Sequence, residues 1–302
     1  MHWIFEPGFF SNDTVRTALV LGALVAIVSA LVGVFTVLRG QSFAGHALTD
    51  VATAGGAGAS LAVVSPLIGF IGAGVLGAGA MEAVGVQRVK DRDIATGVVL
   101  GGATGLAALF LYLVTSQTST TGSTQSLLFG SVFTVEPSTL LYAWTLSALV
   151  AAGLFVIRRP LLMSSISPEL AAARGIRVRV VGVAFMVMLA VAVGLSAIVI
   201  GSILSTALLI GPPASALKVV RRFSVALVTA AALGVLATWL GIVLAYDSFY
   251  WSASHKALPV SFFVVAIVLV EFCVVSTIRH RRDVRAPVPE AHHRGPEQVG
   301  WI

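Results

Sequence analysis

Residues 180–200 read VVGVAFMVMLAVAVGLSAIVI, an uncharged stretch in which Ser196 is the one polar side chain. A segment of about 20 mainly apolar residues is the length that crosses a bilayer as a helix. Strand-like alternation is absent, so the helical reading holds. Working outward, comparable apolar runs lie near 15–38, 43–64, 67–87, 94–116, 138–157, 203–220, 223–246 and 258–278. With 57% hydrophobic and 11% charged residues, the chain is far from the ~25% charged composition of soluble domains. The expected fold is therefore all-α: a polytopic transmembrane bundle of about nine spans over 1–278, followed by a disordered cytoplasmic tail, 279–302.

The net charge of +6 comes mostly from arginine. Basic residues cluster at Arg39, at Arg88/Lys90/Arg92, at Arg158/Arg159 with Arg174/Arg177/Arg179, at Lys218/Arg221/Arg222, and at Arg279/Arg281/Arg282. Nine spans put every cluster on one side, which the positive-inside rule makes the cytoplasm. The N-terminus is then outside and the C-terminus inside. These charges read as topology signals, so no nucleic-acid partner is expected. Residues 1–14 contain no Lys or Arg, and no secretory signal peptide is expected. The single cysteine, Cys273, excludes an internal disulfide or a cysteine metal cluster.

The longest cytoplasmic loop is expected over 158–179. Within it, Ser167 or Pro168 can start a short helix and Gly175 can end it. A second helix near 123–136 could be re-entrant. Glycine clusters at Gly55-Gly56, Gly69–Gly79 and Gly101–Gly105 predict close packing inside the bundle. Gly211-Pro212-Pro213 predicts a break or kink in the seventh run, since two prolines remove two backbone donors. His292 and His293 in the tail are a weak metal signal.

Acidic charges inside the apolar runs are few: Asp50, Glu82 and Glu271, with His46 as the intramembrane histidine. His46 and Asp50 are four residues apart, so they share a helical face. Ser42, Thr49 and Thr53 extend the same polar stripe. An imidazole nitrogen and a carboxylate oxygen can together hold a divalent metal, although two ligands leave the shell incomplete. Water, small polar groups or a second copy of the chain could supply the rest. The alternative is a His–Asp pair that only ties helices. Glu82, within reach of Arg88, and Glu271, two turns from Arg279, read as structural or open. The chain has no GxxxxGK[ST], HExxH or GxSxG, so it cannot itself hold ATP in a P-loop.

Four segments, in order, resemble the zinc, manganese and iron ABC permeases. They are Val37–Asp50 (VLRGQSFAGHALTD), Asp93–Gly97 (DIATG), Pro168–Gly175 (PELAAARG) and Ala207–Ala216 (ALLIGPPASA). That family places Asp first and His four residues later in its second span. Here His46 stands at the Asp position and Asp50 at the His position, so the ligand types are exchanged and the pair survives. The resemblance implies a permease homodimer, two cytoplasmic ATPase subunits and an extracytoplasmic metal-binding protein, in a bacterial inner membrane. It implies that Pro168, Glu169 and Gly175 belong to a helix that docks into the ATPase. The cargo is expected to be a divalent metal, zinc first and manganese next, with no permanently bound cofactor. The rival expectations are an ATP-independent secondary transporter, an intramembrane metalloenzyme, and an ABC permease for a chelated metal or other small solute.

Overall fold

A computed structural model describes residues 9, 12–83, 89–118, 122–130, 132–133, 137–251 and 258–285. Among them there is no strand. The helices are α1 (Asp13–Leu38), α2 (Ser42–Leu61), α3 (Pro66–Ala83), α4 (Val89–Thr118), α5 (Gly122–Phe129), α6 (Pro137–Ile166), α7 (Pro168–Ala173), α8 (Val178–Ile200), α9 (Ser202–Val219), α10 (Phe223–Trp251) and α11 (Val260–Arg285). Each expected apolar run falls on one of the long helices. The all-α, multi-pass reading of the sequence therefore stands.

Local chemistry sets the helix ends. Asn12 caps α1, its side chain accepting the Thr14 N–H at 2.9 Å, and Asp13 adds negative charge to the first turn. The turn into α2 is tight. Gly40 takes φ +63°, and Gln41 N–H returns to Thr36 O at 2.9 Å. Gln41 O then accepts from Gly45 N–H at 2.9 Å, so α2 starts without slack.

Two helices form the centre. The apolar windows of α1 and α8 are 67% and 72% buried, against 17% for α4 and 22% each for α6 and α11. Ser29 and Ser196 meet across α1 and α8 at 2.6 Å, and Phe35 meets Phe185 edge-on at 6.4 Å. Hydroxyls in an apolar core are tolerated because they bond each other and the helix backbone. Ser196 also donates to Ala192 O.

Six helical segments are long and apolar enough to cross a membrane: Asp13–Leu38, Thr96–Gln117, Leu140–Ile166, Val178–Ile200, Phe223–Phe249 and Val260–Arg279. The other three expected runs are helices too, α2, α3 and α9, but shorter or more polar. In α2 the apolar residues are diluted by Gly, Ala, Thr, His46 and Asp50.

Three expectations are corrected. The helix of the fifth run does not end near 157; α6 continues through Pro160 to Ile166. Arg158 is accommodated by lying over the Phe155 ring at 4.1 Å, and Leu161 is fully buried, so the segment packs as helix rather than loop. The Gly211-Pro212-Pro213 sequence does not break α9, which runs from Ser202 to Val219. Pro213 denies Leu209 O its helical donor. Gly33 of α1 lies against that carbonyl and against Pro213, so neighbouring backbone fills the defect. Finally, Gly101, Gly102 and Gly105 do not pack inside the chain: a Cβ on any of them would meet nothing within 4 Å. Of the α2–α3 glycines, Gly55 and Gly69 lie backbone to backbone as expected, whereas Gly72 and Gly79, like the α4 glycines, would meet nothing within 4 Å.

α5 packs against α2, α4, α8 and α9. It ends at Gly130 (φ +82°), wedged against Gly201 (φ +102°) at the joint of α8 and α9. Any side chain at either glycine would strike backbone as well as force a left-handed conformation. α11 carries helix through Arg285, beyond the expected end of the span. The rest of the tail, His292 and His293 included, lies outside the described residues.

Candidate metal site in the second helix

α2 passes between α3, α4, α8 and α9, and its polar stripe meets two of them. His46 is half-buried, and its Nδ1 lies 3.1 Å from Thr206 Oγ1 on α9. Thr206 Oγ1 is also 3.4 Å from Thr49 Oγ1. Thr49 is buried and donates its one proton to Gly45 O at 3.0 Å.

Those bonds have a direction. If Thr49 gives its proton to Gly45 O alone, Thr206 donates to Thr49 and accepts from His46, an arrangement that puts the imidazole proton on Nδ1 and leaves the Nε2 lone pair open. Thr53 is tied off one turn further on, donating to Thr49 O at 2.8 Å.

Asp50 turns to the other neighbour. Its Oδ2 accepts from Thr104 Oγ1 of α4 in a short hydrogen bond. Thr104 Oγ1 also lies 2.8 Å from Leu100 O, so one hydroxyl proton serves the two acceptors. Thr104 sits on the exposed side of α4, between Gly102 and Gly105, and Asp50 is half-buried at the edge of that surface. His46 and Asp50 do not bond one another; each is held by a threonine from a different helix. No cluster of three or more His, Cys, Asp or Glu forms among the described residues. The chain thus supplies one imidazole and one carboxylate, one turn apart, with room left in the shell.

A model of the ABC 3 transport family matches residues 11–275. The chain belongs to the ABC 3 transport family. It is a multi-pass membrane component of an ABC transporter, not itself an enzyme, with ATP hydrolysis in a separate subunit. The manganese transport system membrane protein of Halalkalibacterium halodurans is 30% identical over 245 residues, 79% of this chain and 80% of that protein. The "Probable iron transport system membrane protein" of Haemophilus influenzae is 27% identical over 272 residues, 88% of this chain and 96% of that one. Among solved structures, PsaBC from Streptococcus pneumoniae in complex with Fab shares the fold, with a TM-score of 0.76 at 23% identity over 89% of this chain and 92% of that one.

On this ABC 3 family member the loop helix forms as expected. Ser167 Oγ accepts the Leu170 N–H at 3.4 Å, Pro168 opens α7, and Glu169 lies in its first turn. Gly175 takes φ +78°, and Ile176 N–H returns to Ala171 O at 3.0 Å, closing the helix. Ala171 anchors α7 while Ile166 and Leu170 stand 84% and 64% exposed at this end of the bundle.

The remaining charges stay apart from the pair. Glu82 on α3 lies over Gly182 of α8, where a Cβ would come within 2.7 Å of its Oε1; Arg88 is outside the described residues. Glu271 on α11 has Oε2 buried with no hydrogen-bond partner among the described residues. Sequence reasoning missed three residues. Thr206 and Thr104 were hidden by distance along the chain, although Ser205-Thr206 is a polar pair inside an apolar run. Asp247 was placed just past a span, yet α10 runs on to Trp251 and buries it.

Proposed function

We propose that this chain is the metal-conducting permease subunit of an ATP-driven importer of a divalent transition metal, manganese first. The observation that carries the reading is the His46–Asp50 pair, each member positioned by a threonine from a neighbouring helix. With Nδ1–H donated to Thr206, Nε2 can ligate metal beside an Asp50 oxygen. Such a nitrogen–oxygen set suits manganese, iron or zinc, and two ligands hold an ion weakly enough for release. The names of the relatives favour manganese, with iron next, and the expectation of zinc first finds no support among them.

All nine long helices cross the membrane in this reading. α2 and α9 can be more polar than the others because neighbouring helices shield them from lipid. The N-terminus is outside and the C-terminus cytoplasmic. In favour of that orientation, Arg39 with Ser164, Phe35 with Phe185 and Phe223, and Lys218 with Ser276 gather the basic segments at one end of the bundle. At this end α7, with Pro168, Glu169 and Gly175, docks into the ATPase through Ile166 and Leu170.

The chain works as a homodimer, receiving metal from an extracytoplasmic binding protein. The exposed face of α4 supports pairing. Glycines 101, 102 and 105 leave a shallow surface there, and the Asp50 carboxylate at its edge is too costly to leave against lipid. A second copy would bring a second His–Asp pair toward the first. The test is ATP-dependent uptake of radioactive manganese and zinc by the complex reconstituted in proteoliposomes. Manganese accumulation that requires ATP and binding protein supports the reading; uptake driven by an ion gradient without ATP refutes it.

A further inference from the structure

Arg39 ends α1, and its guanidinium joins three elements that the proposed mechanism treats separately. Its Nε donates to Gln41 Oε1 at 3.2 Å, and its Nη1 donates to Ser164 Oγ at 3.2 Å. Its Cζ lies 5.5 Å from the centre of the Phe185 ring on α8. Gln41 and Ser164 are each only 4% exposed, and Phe185 is fully buried, so these partners are fixed. Ser164 gives its own proton to Leu161 O at 2.9 Å, which leaves its lone pairs for the arginine.

The two hydrogen-bonded partners sit at joints. Gln41 is the last residue before α2, bonded by its backbone to both α1 and α2. His46 follows little more than one turn later. Ser164 is in the last turn of α6, three residues before the cap of α7, and Ser167 N–H bonds back to Met163 O at 3.0 Å. Neither joint has slack. A movement of α7 shifts the end of α6, and the Arg39 fork connects that end to the start of α2.

We infer that Arg39 is a positioning residue that links the ATPase-docking helix α7 to the metal-site helix α2 through Ser164 and Gln41. The inference rests on the roles proposed above for α7 and for the His46–Asp50 pair. It explains why arginine is needed: Nε and Nη1 are separate donors held in one rigid plane, which reach Gln41 and Ser164 together, and the single ammonium nitrogen of lysine does not span the two acceptors in that geometry. A residue that only marked the cytoplasmic side would work equally well as lysine.

The experiment measures manganese ions transported per ATP hydrolysed by the reconstituted complex of permease, ATPase and binding protein. Arg39→Lys keeps the charge and removes the fork; Ser164→Ala removes one acceptor. Each is expected to lower the ratio roughly 3- to 30-fold while ATP hydrolysis persists. The double variant is expected to be no worse than Arg39→Lys alone, because both changes cut one link. An unchanged ratio in Arg39→Lys overturns the inference. So do additive losses in the double variant, or transport and ATP hydrolysis falling together.

A second readout is independent of transport. A cysteine at exposed position 43 (Phe43→Cys, with Cys273→Ser) reports the start of α2 by its rate of thiol labelling. The rate is expected to change on ATP binding in the parent and not with Arg39→Lys; the same change in both overturns the link. A parent complex that shows this change yet moves no metal would refute the proposed cargo and leave the link standing.

Discussion

Thr206→Val isolates the hydroxyl that orients His46. Valine nearly matches threonine in shape, so packing of α9 against α2 is kept. What is lost is the 3.1 Å bond to Nδ1 and the 3.4 Å bond to Thr49. Without an acceptor, the imidazole is free to rotate and to exchange its tautomer. A hydrogen bond to such a group contributes about 1–3 kcal/mol. At about 1.4 kcal/mol per decade this is a loss of roughly 5- to 150-fold in metal affinity, which brackets the ~10- to 100-fold typical when the group behind a ligating histidine is removed. The assay is equilibrium binding of Mn2+ to the purified complex, followed by the paramagnetic signal of the free ion. Thr206→Ser, which restores the hydroxyl, is expected to bind like wild type. If Thr206→Val binds as tightly as wild type while His46→Ala does not bind, the Thr49–Thr206–His46 chain does not set the ligand, and the directional argument fails.

Two further outcomes follow from packing. Gly33→Ala drives a methyl into Leu209 O and to 2.7 Å from Pro213 Cγ; with backbone on one side and a proline ring on the other, it should cost about 1–3 kcal/mol, read as a lower thermal unfolding midpoint in detergent. Leu170→Glu leaves the fold intact, because Leu170 is 64% exposed, but it should weaken ATPase co-purification roughly tenfold or more by removing an apolar contact worth about 1.5–3 kcal/mol.

Much of this molecule was legible along the chain because membrane helices announce themselves by length and apolarity. The α7 boundaries could be read from Ser167, Pro168 and Gly175, since capping is local chemistry. The i, i+4 spacing of His46 and Asp50 put them on one face without any tertiary information. What the chain order hid is mostly long-range. Thr206 and Thr104 lie 160 and 54 residues from the side chains they hold. Arg158-Arg159-Pro160 looked like a loop because charge and proline are poor helix signals, yet a ring beneath Arg158 and the buried Leu161 keep α6 helical. The prolines of α9 looked like a break because their compensation comes from Gly33, on another helix. The α4 glycines looked like internal packing because composition does not say which face of a helix points outward. Ligand type alone could not rank manganese above zinc.

The central claim is that His46 and Asp50 carry the metal. The most direct measurement is ATP-dependent manganese uptake by the reconstituted complex with His46→Ala or Asp50→Asn, beside the amount of ATPase subunit that co-purifies. Asp50→Asn keeps the size of the side chain and one acceptor oxygen for Thr104, and removes the charge and the second carboxylate oxygen. The account predicts that each change abolishes uptake while the complex stays assembled. Uptake at the wild-type rate in both variants would contradict it and leave the pair as a helix tie.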